Sequence, residues 1–268
     1  MSEDCLRNEK RENIRKGVYL LPNLITAGGI FAGFYVIIAA TDGNYERAAW
    51  FILLAAIFDG LDGKVARLTG TSSKFGVELD SLADVISFGV APGVLLYLWA
   101  LRPFGKLGWL AAFLYVICGA LRLARFNVQV STVESRRFIG MPIPAAACIV
   151  ATCVLLFYEL GGTGTIKMVS MVALVFLLAF LLVSNIKYIS LKDPELFKRQ
   201  PFVMLVVAIM LLIVIVAQPR IMLFLIGMAY LISGPIAHYL GWRKDRLEKK
   251  KNSADSKQNQ GEMDRESH

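Results

Sequence analysis

The sequence predicts an all-α fold, a polytopic bundle of about eight transmembrane helices. Three observations support this prediction: 56% of the 268 residues are hydrophobic, the mean hydropathy is +0.56, and apolar stretches of about 20 residues recur along the chain. An ordinary soluble domain has a smaller share of apolar residues. No separate soluble domain fits between Val18 and Leu240.

Glycines, prolines and charged residues divide the chain into its predicted elements. Residues 1–17 form a charged segment, for which an interfacial helix and a solvated leader are both open. Residues 18–241 form the transmembrane domain, and residues 242–268 form a polar, charged tail that we expect to be disordered. The predicted helices span 18–40, 45–67, 75–100, 106–126, 143–160, 165–185, 201–217 and 220–241.

The basic residues predict how the bundle lies in the membrane. With an even number of helices both termini lie on one side, and 24 of the 29 lysines and arginines fall on that side. Cytoplasmic loops carry the excess of basic residues, so we expect a multi-pass protein of the cell (inner) membrane with both termini in the cytoplasm. The net charge of +8 then faces anionic lipid headgroups, and we expect no nucleic-acid partner.

Four aspartates interrupt the apolar pattern in the second and third predicted helices. Asp59 and Asp62 share one face of the second helix, and Asp80 and Asp84 share one face of the third. A short connection makes these helices antiparallel neighbours, so their acidic faces can meet. Asp59 lies roughly 12 Å deeper than Arg67, where a charged group costs on the order of a few kcal/mol and marks a functional cavity.

Four clustered carboxylates predict a metal cofactor. They repel one another unless a cation offsets their charge, and ligands that are all oxygen favour a hard divalent ion such as Mg²⁺ or Mn²⁺. Four bridging carboxylates are enough for two ions, an arrangement that suits displacement at phosphorus.

Small residues and one arginine accompany the acids. Gly63, Ala66 and Gly76 leave room for a bulky ligand to approach the helix backbone, and Arg67 is placed to hold a phosphate by charge-assisted hydrogen bonds. The alternative is purely structural: the small residues allow close helix packing, and Arg67 anchors the cytoplasmic end of its helix.

The four aspartates, the three small residues and the arginine together form the pattern D-x2-D-G-x2-A-R-x8-G-x3-D-x3-D between Asp59 and Asp84. This pattern resembles the signature of the CDP-alcohol phosphatidyltransferases. The resemblance implies an integral membrane enzyme that uses a CDP-linked lipid, displaces CMP with an alcohol and needs a divalent metal. It implies metal ligation by Asp59, Asp62, Asp80 and Asp84, with Asp84 also the general base. The residues implied in CDP-lipid binding are Gly63, Ala66, Arg67 and Gly76.

Further stretches resemble one branch of that family, the membrane-embedded phosphatidylserine synthases. They are "LPNLITAGGIFAGF" (21–34), "LDSLADVISFGVAP" (79–92), "GALRLARFNV" (119–128) and "FIGMPIPAAA" (138–147). This resemblance implies transfer of the phosphatidyl group from CDP-diacylglycerol to L-serine. We also expect a homodimer surrounded by membrane lipids.

Serine recognition requires a partner for its carboxylate. Arg122 and Arg125 are candidates and Asn127 offers a further hydrogen bond, while an anchoring role for the two arginines is equally open. A sibling enzyme that uses glycerol phosphate, inositol phosphate or choline is an alternative, and the site does not distinguish diacyl from archaeal ether lipids. An ion transporter is less favoured because the acids lie toward one face and no internal repeat is visible.

Overall fold

The computed structural model describes residues 3–70, 73–130, 140–162, 166–184, 186 and 217–237. Every regular element within these ranges is a helix, which confirms the predicted all-α class. The seven helices are α1 (Glu3–Thr41), α2 (Tyr45–Thr69), α3 (Lys74–Phe104), α4 (Lys106–Val130), α5 (Ile143–Glu159), α6 (Ile166–Val183) and α7 (Pro219–Ala237).

Four of these helices contain a segment long and apolar enough to cross a membrane. The segments are Leu21–Thr41, Lys74–Phe104, Lys106–Val128 and Pro219–Ala237, while α5 and the Val169–Val183 part of α6 are shorter apolar helices. Helix α2 does not qualify because it carries too many charged residues, Asp59 and Asp62 among them. The predicted count of eight spans is therefore not confirmed. The predicted helix 201–217 and the tail 242–268 lie outside the described residues.

Helix α1 begins in the charged segment that the sequence sets apart. It runs without a break from Glu3 into the first apolar span, so the backbone of this segment is helical. Its position at the membrane interface stays a prediction.

Short capped turns make the first helices neighbours. Gly43 (φ 78°) follows α1, and Gly70 (φ 63°) ends α2 by donating its backbone N–H to the carbonyl of Ala66. Both glycines occupy the left-handed conformation that terminates helices and costs other residues energy. Ser73 caps α3, because its side chain accepts a 2.9 Å hydrogen bond from the N–H of Gly76.

Small side chains bring α1 and α2 close together. Ala32, Ala39 and Ala40 of α1 and Ala48 and Ala49 of α2 are all at most 3% exposed, and these two helices share the most extensive contact in the described bundle. Small residues favour helix association in lipid because they let backbones approach closely. Helix α5 lies in the centre of the bundle, with ten of its residues buried.

The outside of the bundle is apolar and one end is tied by ion pairs. Phe31 and Phe180 are 66% and 67% exposed, as expected for side chains that face lipid rather than water. At the end where α2 begins, the guanidinium of Arg220 pairs with Glu46 of α2 and, at 2.8 Å, with Glu159 of α5. This junction joins three helices at the end remote from the aspartates.

Candidate active site

Helices α2 and α3 hold the four aspartates, two on each helix. Asp59 and Asp62 lie in the C-terminal half of α2, and Asp80 and Asp84 lie in the N-terminal half of α3. Because the capped turn between the helices is short, the two acidic faces are brought together at the same end of the bundle.

The four carboxyl groups surround one point. Asp59, Asp62 and Asp80 each offer an oxygen atom, and these oxygens lie within 4.8 Å of one another. The carboxyl of Asp84 interacts directly with that of Asp59. All four side chains line a void of about 10 Å³, which is close to the smallest space that holds one water-sized guest.

Helix α1 contributes a residue that the sequence reasoning missed. The hydroxyl of Thr26 donates a 2.8 Å hydrogen bond to Oδ2 of Asp62, and both residues are buried. Asn23 lines the pocket beside the acids. A signal was present in the sequence, since Asn23 and Thr26 are polar residues three positions apart on one face of an otherwise apolar stretch.

A pocket of about 230 Å³ opens beside the acids. Its lining contains all four residues predicted to bind the CDP-lipid, together with two of the aspartates and polar residues of α1 and the α2–α3 turn. The lining residues are Pro22, Asn23, Thr26, Asp62, Gly63, Ala66, Arg67, Ser73, Gly76, Val77 and Asp80.

Two lining residues favour a ligand pocket over simple helix packing. A Cβ atom at Gly63 would meet no heavy atom within 4 Å, so this glycine leaves open space and is not required for contact with another helix. Arg67 is exposed, and its Nε donates a 2.8 Å hydrogen bond to the carbonyl of Gly63. Among the described residues its two terminal amino groups have no partner, so they are available to an anion.

Arg122 lies near the acids from the side of α4. The residue is only 8% exposed, and its Nε has no hydrogen-bond partner among the described residues. Asp84 and Tyr230 of α7 both lie within electrostatic range of its guanidinium. A buried guanidinium without full hydrogen bonding is costly, so Arg122 is a candidate for binding an anionic group.

The other two residues predicted to bind serine are placed differently. The amide of Asn127 donates a 3.0 Å hydrogen bond to Oγ of Ser81, next to Asp80 in the chain. Arg125 instead donates to the carbonyls of Val183 (3.1 Å) and Ser184 (3.4 Å) at the end of α6. The structure therefore brings Arg122 and Asn127 toward the acids, whereas Arg125 binds a helix terminus.

The donor set fits a hard divalent cation. The polar side chains that line the void are the four aspartates, Thr26 and Ser87, and all of them offer oxygen. The spacing of the carboxylate oxygens of Asp59, Asp62 and Asp80 allows them to reach a single ion. The open pocket next to the carboxylates is lined by the cationic side chain of Arg67 and by small residues. This arrangement can bind a phosphorylated ligand, whose phosphate groups would lie near a metal held by the aspartates. A carboxylate of the site can also accept a proton.

A family model and the sequences of curated relatives point to the same family. A family model described as CDP-alcohol phosphatidyltransferase matches residues 19–180, a range that includes all four aspartates. The CDP-diacylglycerol–serine O-phosphatidyltransferase of Helicobacter pylori is 48% identical over 178 residues, which cover 65% of this chain and 74% of that protein.

Relatives with somewhat lower identity carry the same or a related name. A protein of the same name from Mycobacterium leprae is 42% identical over 159 residues, covering 57% of this chain and 53% of its own. The archaetidylserine synthase of Methanothermobacter thermautotrophicus is 40% identical over 170 residues, covering 63% of this chain and 69% of its own.

Proposed function

Because the chain belongs to the CDP-alcohol phosphatidyltransferase family, we propose that it transfers the phosphatidyl group of CDP-diacylglycerol to the hydroxyl of L-serine and releases CMP. The names of its relatives support serine as the acceptor. The observation that carries the chemistry is the meeting of four aspartates from two helices around one void, beside an open pocket.

The aspartates hold the metal cofactor of this reaction. The family is metal-dependent, and the proposed site takes two Mg²⁺ or Mn²⁺ ions through Asp59, Asp62, Asp80 and Asp84. When bound, the ions supply positive charge that offsets the charge of the pyrophosphate and of the leaving CMP.

The pocket residues bind and orient the CDP-lipid. Gly63, Ala66 and Gly76 present little side-chain bulk, so the pyrophosphate can approach the helix backbones. The terminal amino groups of Arg67 donate hydrogen bonds to a phosphate, since the Nε of this residue is already held by the carbonyl of Gly63. The diacylglycerol chains extend from the pocket into the surrounding lipid.

Asp84 is the proposed general base. The serine hydroxyl is a weak nucleophile at neutral pH, and a carboxylate within hydrogen-bonding reach accepts its proton. As the proton passes to Asp84, the serine oxygen forms a bond to the phosphatidyl phosphorus. The bond between that phosphorus and the oxygen of CMP breaks, and CMP leaves with the bonding electron pair.

Arg122 is the proposed partner of the serine carboxylate. Three observations support this role: Arg122 is buried, its Nε has no hydrogen-bond partner among the described residues, and it lies near Asp84. An acceptor bound beside the base would carry its negative charge close to this cation. The amide of Asn127 is proposed to add a hydrogen bond to the bound serine on the same side of the site. Arg125 has less support in this role because it already donates to backbone carbonyls of α6.

The proposed topology follows the basic residues. In a multi-pass inner-membrane protein with both termini in the cytoplasm, the aspartate end of the bundle faces the cytosol, where serine arrives and CMP is released. The division into a leader (1–17), a transmembrane domain (18–241) and a charged tail (242–268) is part of this proposal, and so is the homodimer.

Purified protein tests the proposed reaction directly. It is incubated with CDP-diacylglycerol, Mn²⁺ or Mg²⁺ and one alcohol at a time, namely serine, ethanolamine, glycerol phosphate, inositol phosphate and choline, and CMP release is measured. We expect release with serine and little with ethanolamine, which is serine without its carboxylate. Preferred use of another alcohol would identify a sibling enzyme and overturn serine as the acceptor.

A further inference from the structure

Helix α3 changes its hydrogen-bonding pattern immediately after Asp84. Residues Val85–Val90 form a π-helical segment, in which the N–H of Ala91 bonds to the carbonyl of Ile86, five residues earlier. Such segments offset the helix on either side of them and occur frequently at functional sites. This segment therefore sets how the part of α3 that carries Asp80 and Asp84 is directed relative to the rest of the helix.

A proline removes one backbone donor next to this segment, and another helix supplies a donor to the same carbonyl. In an α-helix the carbonyl of Phe88 would accept the N–H four residues later, but that residue is Pro92, which has no N–H. The hydroxyl of Tyr115 on α4 donates a 2.9 Å hydrogen bond to the carbonyl of Phe88. Tyr115 is fully buried, so its hydroxyl supplies a donor that water does not.

A second bond fixes the same segment to α1. The hydroxyl of Ser87 donates a 3.0 Å hydrogen bond to the carbonyl of Gly29, and Ser87 is 1% exposed. A Cβ atom at Gly33 would lie 2.5–2.9 Å from atoms of Ser87, so the backbone of α1 packs directly against the segment. Bonds from two different helices thus hold it in place.

The segment also forms part of the wall around the acids. Ser87 and Phe88 line the same small void as all four aspartates, and Asp84 is the residue that precedes the segment. A displacement of this backbone by a fraction of an ångström would change the distances among the carboxylate oxygens. Loss of a group that orients a metal ligand typically lowers metal affinity or activity by about 10- to 100-fold.

We propose that the π-helical segment Val85–Val90 positions the metal-binding aspartates and that Tyr115 is the positioning residue that holds it. The inference rests on the proposed function for its effect on turnover, but its effect on metal binding does not require any substrate. Tyr115 acts through the backbone, because its hydroxyl is already engaged with the carbonyl of Phe88.

The chain contains a matched control. A second π-helical segment of α3, Tyr97–Leu101, receives the same kind of bond, since the hydroxyl of Tyr45 donates to the carbonyl of Leu98 at 3.3 Å. Tyr45 begins α2 at the end remote from the aspartates. Tyr45→Phe and Tyr115→Phe therefore each remove one hydroxyl that donates to a carbonyl of a π-helical segment. Only the segment bound by Tyr115 lies beside the aspartates.

The experiment compares the two variants with wild type as full-length protein in lipid nanodiscs. Mn²⁺ binding is measured by electron paramagnetic resonance without substrate, thermal unfolding is recorded, and kcat and KM are determined with CDP-diacylglycerol and serine. We expect Tyr115→Phe to weaken Mn²⁺ binding and lower kcat by about tenfold each. Tyr45→Phe should lower thermal stability to a comparable extent and leave Mn²⁺ binding and kcat unchanged.

Two results would overturn the inference. One is wild-type Mn²⁺ affinity and kcat in Tyr115→Phe, and the other is an equal loss of both in Tyr45→Phe, which would indicate general loosening of α3. If Tyr115→Phe does not fold, Ser87→Ala removes the second bond of the segment and is expected to give the same losses. A wild type that binds Mn²⁺ but releases no CMP with serine would overturn the proposed function, while the Mn²⁺ measurements would still decide this inference.

Discussion

Thr26 and Asp62 are joined by a buried hydrogen bond of 2.8 Å although 36 residues separate them in the chain. The bond couples α1 to the carboxylate cluster that α2 and α3 form. The Thr26 hydroxyl donates to Oδ2 of Asp62 and so restricts the orientation of that carboxylate. A metal ligand whose orientation is fixed in this way binds its ion more tightly, because less freedom is lost on binding.

Removing the hydroxyl of Thr26 should weaken metal binding without unfolding the protein. Thr26→Val keeps the shape of the side chain, and we expect the Mn²⁺ concentration for half-maximal activity to rise by about tenfold. Thr26→Ser retains the hydroxyl and serves as the control. Equal Mn²⁺ dependence in both variants would show that the hydrogen bond does not orient Asp62.

Each of the four aspartates should be required for turnover. Asp59→Asn, Asp62→Asn, Asp80→Asn and Asp84→Asn should each lower kcat by at least about 10²-fold, the scale of losing a catalytic group. Asp42→Asn is the control, since Asp42 is exposed in the turn after α1. EDTA should abolish CMP release, and Mg²⁺ or Mn²⁺ should restore it. Full activity after chelation would contradict the metal site.

Asp84 and Asp59 should contribute differently to the affinity for CDP-diacylglycerol. If Asp84 is the general base, Asp84→Asn loses turnover but keeps much of the affinity for CDP-diacylglycerol, because the other three aspartates still hold the metal. Asp59→Asn should lose both. Equilibrium binding of CDP-diacylglycerol to the two variants makes the comparison. Equally poor binding by both would limit Asp84 to the role of a metal ligand like Asp59, and the base would be a different residue.

Filling the space at Gly63 should block the CDP-lipid pocket. We expect Gly63→Leu to raise the KM for CDP-diacylglycerol by about tenfold, since overpacking costs about 1–3 kcal/mol. Gly60→Leu is a matched control: a Cβ atom at Gly60 also meets nothing within 4 Å, but this residue is not part of the pocket lining. Leucine favours a helix more than glycine does, so both variants should fold. An unchanged KM in Gly63→Leu would place the CDP-lipid elsewhere.

The two ends of α2 should lie on opposite sides of the membrane. Single cysteines are introduced at Leu68, which is 87% exposed, and at Asp42, in a version without native cysteines. A membrane-impermeant maleimide should label Asp42→Cys in intact cells and Leu68→Cys only after the membrane is permeabilised. Labelling of both in intact cells would refute the predicted topology.

The carboxylate cluster could be predicted because it depends on local rules. Helical periodicity places Asp59 with Asp62 and Asp80 with Asp84, and a short connection makes the two helices antiparallel neighbours. Both statements need only residues close in sequence. For the same reason the pocket around Gly63 and Arg67 follows from the spacing of small and basic residues on one helix.

Contacts between distant parts of the chain could not be predicted in the same way. Nothing in the spacing of residues tells that Thr26 bonds to Asp62 or that Tyr115 bonds to the carbonyl of Phe88, because both bonds depend on how helices pack. Arg125 shows the same limit. An arginine near a helix end can bind an anionic ligand or the carbonyls that end another helix, and only the packing of α4 against α6 decides between them.

The polarity of α2 has a consequence for biosynthesis. Because α2 carries Asp59, Asp62 and further charged residues, it is not among the helices apolar enough to span a membrane, and we expect it not to insert by its own hydropathy. The turn between α1 and α2 is short, and their alanine-rich faces fit closely, so we expect α2 to enter the bilayer as the second arm of a helical hairpin led by α1. The small side chains between α1 and α2 would then act while the protein is being made as well as in the folded enzyme.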